Sequence, residues 1–132
     1  MRPDNPKEVL GVDVGSVRIG LARGSTIAKL AQPLKTVPAV KAVEEIRKFD
    51  PDLIVIGLPR SLDGNDTGQT AYVRDWVHSV KQVIDKPFFW QDEALTSQAA
   101  DSSDSKAGRD AAAAAVLLQD FLDTPESEWV RC

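Results

Sequence analysis

The sequence predicts an α/β chain with a mixed sheet: an antiparallel three-strand meander, then parallel strands joined by crossover helices, in the order β-β-β-α-β-α-β-α. Three observations predict it. Val9–Val14 and Val17–Ala22 are β-rich runs linked only by Gly15-Ser16, a hairpin signal. Leu53–Leu58 (LIVIGL) is apolar throughout over strand length, as in a parallel strand covered on both faces. Around that run, apolar residues recur at helical rather than alternating spacing.

After the hairpin, Ser25–Thr36 reads as a third strand, and Pro33 within it suits a sheet edge. Pro38 suits the first position of a helix, with Val40, Val43, Ile46 and Phe49 on one face and Asp50-Pro51 as the stop. The loop Pro59–Asp66 is dense in turn formers. From Thr67 to Ile84, Val73, Trp76, Val77, Val80, Val83 and Ile84 mark a second helix, with His78 outward. Lys86–Trp90 is the last strand, and Gln91–Glu93 sits at its carboxyl end. Ala94–Asp101 suits a short helix, and Asp101–Gly108 is polar and rich in breakers. Asp110–Leu122 (DAAAAAVLLQDFL) has the strongest helix propensity in the chain. Residues 1–124 are expected to form one domain, with 125–132 a mobile tail in which Trp129 is a loose residue.

Composition narrows the function. The 132 residues, 42% hydrophobic and 27% charged, are ordinary for a domain with its own core. The net charge of −4 argues against an indiscriminate, strongly basic nucleic-acid binder, but not against acids gathered to hold metal. One cysteine, Cys132, excludes an internal disulfide and a cysteine zinc site. No run approaches a membrane span and the first residues lack a signal-peptide core, so a cytoplasmic protein with no membrane partner is expected.

Three acids stand out by position. Asp13 closes the first apolar run, where nothing in the local pattern calls for a carboxylate. Glu93 follows the last strand, and Asp110 opens the alanine-rich helix. Ligands of open sheets with crossover helices collect at the carboxyl ends of strands, so the three are expected to meet there. Converging carboxylates raise each other's pKa unless a cation joins them, and oxygen ligands suit Mg2+ or Mn2+. Taken singly, Asp110 equally suits a helix cap and Glu93 a surface acid; the combination carries the signal.

DVGSVRIGLA, IVIGLPRSLDG, QDEALTS and RDAAAAAVLLQDFL, in that order and approximate spacing, resemble the YqgF/RuvX family from Val9 to Leu122. The first block alone also resembles the phosphate loop of actin-like ATPases, but there is no Walker-type loop. The resemblance implies an RNase H-like fold and a cytoplasmic nuclease that matures the 5′ end of pre-16S rRNA. Holliday-junction resolution, on branched DNA, is the older alternative. It also implies that Asp13, Glu93 and Asp110 are catalytic and hold the metals, Asp13 bridging them. Two departures stand out: Ala94 replaces the family's arginine after Asp-Glu, and the segment from Thr96 to Asp110 is shorter than usual. They motivate a rival reading, a non-catalytic RNA- or ribosome-binding module. Arg18, Arg23, Lys29 and Arg60, in or near the hairpin and the loop after LIVIGL, are the expected phosphate contacts. Ribosomal particles are a further expected partner, the chain acting as a monomer or homodimer.

Overall fold

In the computed structural model, which describes residues 7–61, 63–94 and 106–132, the expected hairpin lies inside a six-stranded sheet. β1 (Glu8–Val14) runs antiparallel to β2 (Arg18–Ser25), pairing Asp13 with Gly20. β3 (Gln32–Pro38) is antiparallel to β2 and forms one edge, as Pro33 anticipated. β4 (Leu53–Arg60) and β5 (Phe88–Ala94) are parallel to β1, and β6 (Val130–Arg131) returns antiparallel to β5. The order across the sheet is β3-β2-β1-β4-β5-β6.

Among the described residues, three helices cover this sheet. α1 (Ala42–Phe49) and α2 (Gly68–Lys81) close one face. There Leu10, Val12, Ile19, Leu21, Ile54, Ile56 and Phe88 meet Ile46, Val73, Val77 and Val80. α3 (Lys106–Asp123) closes the other, where Val9, Ala22, Leu53 and Val55 meet Ala114, Leu117, Leu118, Phe121 and Leu122. The strands alternate between these two cores, the period of two expected of pleated backbone. None of the described helices is long and apolar enough to cross a membrane.

Several boundaries differ from the sequence expectation, each for a local reason. β2 continues to Ser25, so the third strand begins at Gln32. Pro38 ends that strand instead of starting a helix; a 3-10 turn over Ala39–Lys41 intervenes and leaves Val40 90% exposed. α1 therefore buries Ala42 and Ile46, and ends at Asp50 in a left-handed conformation (φ 54°). α2 begins one residue after Thr67, which caps it in a reciprocal box with Thr70. Val83 lies beyond α2 and is half exposed, while Ile84 is buried. β5 runs on to Ala94, so Glu93 lies within the strand and not past it. α3 begins at Lys106, which puts Asp110 inside the helix and not at its opening. The expected short helix at Ala94–Asp101 falls almost wholly outside the described residues.

The expectation of a mobile tail is also corrected. Residues 126–128 form a 3-10 turn, and Val130 and Arg131 pair with Trp90 and Phe89. Trp129 stacks on Phe121 with ring centroids 4.2 Å apart and meets Phe89 edge-on at 5.5 Å. Its indole N–H donates to the carbonyls of Phe121 and Thr124. An indole satisfied at both its apolar and its polar ends anchors the segment; a single aromatic in a charged stretch carried no periodic signal of this.

Candidate active site

Alternation along β1 turns Asp13 to the α3 face, the side that Val9 and Gly11 also occupy. Glu93 on β5 points to the same face, beside Gly57 and Leu117. α3 brings Asp110 over β2. Gly20 makes this approach possible: a Cβ there would stand 1.9 Å from the Asp110 carbonyl oxygen. Gly57 makes room in the same way, since a Cβ there would stand 2.8 Å from Glu93 Oε1. The two glycines are what sequence reasoning missed, and their signal was their alignment under a small-residue helix.

The three acids share a face and sense one another in sequence across the sheet. Burial, and secondarily the Asp110 carboxylate, pushes the Asp13 carboxyl up to about 6. Burial pushes Glu93 up to about 7, with added repulsion from Asp13 and from Asp120 of α3. Neither Asp13 nor Glu93 has an ion-pair partner among the described residues. Asp110 does: Arg18 Nε donates to its Oδ2 at 2.8 Å. The acids are neighbours but not a finished cage, for among the described residues no three metal-ligating side chains converge on one point. Two desolvated carboxylates without a cationic partner among the described residues nevertheless suit a hard divalent ion.

The expected phosphate contacts separate. Arg18 belongs to the acid face through Asp110. Arg23 lies on the opposite face, with its guanidinium 5.3 Å from the Phe49 ring centroid and 3.5 Å from Glu8. Lys29 sits in the β2–β3 turn at the other end of the sheet, in a left-handed conformation (φ 56°), where its carbonyl accepts from Gln119. Arg60 is at the carboxyl end of β4 but on the α2 side, 3.3 Å from Asp66 and 3.7 Å from Asp92. Hairpin proximity did not distinguish these, because side-chain direction alternates along a strand.

A mixed sheet in the order β3-β2-β1-β4-β5-β6 between two helical layers is an RNase H-like fold. The Thermus thermophilus RuvC structure superposes with a TM-score of 0.59 at 12% identity, over 95% of this chain and 99% of that one. RuvC in complex with Holliday junction substrate gives a TM-score of 0.58 at 14% identity. The chain belongs to the RuvX family, whose model, described as Holliday junction resolvase, matches residues 7–124. A protein of Roseiflexus sp. (strain RS-1), named "Putative pre-16S rRNA nuclease", is 34% identical over 90% of this chain and 96% of its own. One of the same name from Fusobacterium nucleatum is 32% identical over 89% of this chain and 97% of its own.

Proposed function

We propose that this chain is a metal-dependent nuclease that hydrolyses RNA phosphodiester bonds, its substrate being the 5′ end of pre-16S rRNA. One observation carries the reading: Asp13 and Glu93 are desolvated carboxylates on one face of the sheet, each raised in pKa and each without a cationic partner among the described residues. The names of the relatives support the substrate. Asp13 and Glu93 would hold Mg2+ or Mn2+, with Asp110 completing the ligand set by giving up Arg18. Such an ion supplies charge to stabilise the phosphate oxygens and to make water a better nucleophile at neutral pH. Arg18, once released, is placed to pair with a substrate phosphate.

The family description favours a second substrate, branched DNA. Incubating the protein with Mn2+ and either a pre-16S 5′-leader RNA or a four-way DNA junction separates the two. Cleavage of the RNA, lost in Asp13→Asn with the fold retained, is the expected result. An Asp13→Asn protein as active as the wild type overturns the site assignment. RNA binding without turnover of either substrate would leave a binding module on the same fold.

A further inference from the structure

Among the described residues β6 pairs only with Phe89 and Trp90, while β5 continues through Gln91 to Ala94. Beyond the end of β6, a cleft of about 500 Å3 therefore opens along the sheet edge, lined by Arg60, Arg74, Trp90, Asp92, Trp129 and Arg131 among others. We propose that this cleft binds a single strand of nucleic acid and leads it over the edge of β5 toward the acid face. The inference rests on the nuclease reading above and adds a place on the protein where substrate is held away from the bond that breaks.

The chemistry of the lining favours this occupant. The Arg74 guanidinium lies 5.7 Å from the Trp90 ring centroid, which gives a planar cation beside an aromatic plane. Such surfaces take unstacked bases whatever their sequence, because every base has a π-face. The arginines are loosely held. Arg60 contacts Asp66 at 3.3 Å and Asp92 at 3.7 Å, and its buried Nε lacks a hydrogen-bond partner of acceptable geometry. Arg74 reaches Asp66 at 3.5 Å. Arg131 has no carboxylate partner among the described residues, and its guanidinium lies 5.5 Å from the Phe89 ring centroid.

Position makes the same argument. Trp90, Asp92, Arg60 and Arg74 stand on the α2 side of the edge, whereas Phe89, Arg131 and Glu93 stand on the α3 side. Asp92 and Glu93 are consecutive, so a strand crossing the edge passes from the arginine cleft to the acid face within one residue of β5. Asp66, Asp92 and Glu128 offset the cations. Binding here is therefore carried by flat stacking surfaces with phosphate pairing in support, not by bulk positive charge. That selects an unpaired strand over a duplex and over an acidic peptide.

The test is fluorescence anisotropy with a short fluorescein-labelled single-stranded RNA in EDTA, where no cleavage occurs. Arg74→Ala and Arg131→Gln are each expected to weaken binding, by about tenfold for Arg74→Ala. Arg74→Lys, which keeps the charge and loses the plane, is expected to fall between. Duplex RNA and polyglutamate should compete poorly. Wild-type affinity in both Arg74→Ala and Arg131→Gln overturns the cleft alone, and so does polyglutamate competing as well as unlabelled RNA. A wild-type protein that binds no RNA overturns the nuclease reading with it. Thermal melting confirms that each variant is folded, and should Arg74→Ala fail to fold, Arg74→Lys and Arg131→Gln decide the question.

Discussion

At the scale of single residues, the cost of the site is its buried charge. A carboxyl whose pKa is raised in the fold holds a proton that the unfolded chain has released. Folding thus takes up protons between about pH 4 and pH 7, and stability falls as pH rises through that window. For Asp13, raised from 3.8 to about 6, the loss is roughly 3 kcal/mol. Metal-free protein is therefore expected to melt at a lower temperature at about pH 8 than at about pH 5. Asp13→Asn should recover about 10 °C at the higher pH and about half as much at the lower one, where the unfolded carboxyl is already mostly charged. A divalent ion should recover a similar amount in the wild type and little in Asp13→Asn, because only the charged pair distinguishes bound from free protein. Melting curves at the two pH values, with and without Mn2+, check all of this. Asp13 was legible in the sequence because a carboxylate inside a strand run has no structural reason to be there. Glu93 and Asp110 were nameable only as part of a pattern.

At the scale of elements, α3 and the strands beneath it determine whether the acids meet. The Cβ that Ala would place at position 20 overlaps a backbone carbonyl, which cannot rotate away. Gly20→Ala is expected to lift α3 and destabilise the protein by about 3 kcal/mol or more, read by urea denaturation. Gly57→Ala meets flexible side-chain atoms of Leu117 and Glu93 instead. It should cost less stability, about 1–2 kcal/mol, and reduce cleavage more than tenfold by displacing Glu93. Parallel measurements of denaturation and turnover on the two variants separate these effects. The elements were mostly readable: apolar period two for β1 and β2, an unbroken run for β4, helical spacing for α2. What failed were ends. Pro38 fits a helix start and a strand end equally well by its φ, and Val40 shares the helical period of Ile46 while standing in a 3-10 turn. Propensity cannot locate such junctions, since the deciding hydrogen bond, Ala39 N–H to the Val17 carbonyl, comes from a distant part of the chain.

At the scale of the whole molecule, residues 125–132 were the largest misreading. Their anchoring depends on an aromatic cluster drawn from three elements, Phe89, Phe121 and Trp129, which no local window of sequence contains. Trp129→Ala is expected to cost about 3 kcal/mol and to free β6, with faster amide exchange in Phe89 and Trp90 as the local sign. Unchanged exchange there would mean that β6 holds without its anchor. The sheet also divides its labour by face. The side under α1 and α2 is an ordinary apolar core, while the side under α3 carries both the second core and every candidate catalytic carboxylate. A random mutant library screened for both abundance and turnover would separate along that plane. Substitutions in the buried core behind α1 and α2, away from the Trp90 cleft, would lower the amount of protein and leave the turnover of each surviving molecule intact. Those behind α3 would lower both together, so improving this chain's chemistry and improving its durability compete for one helix.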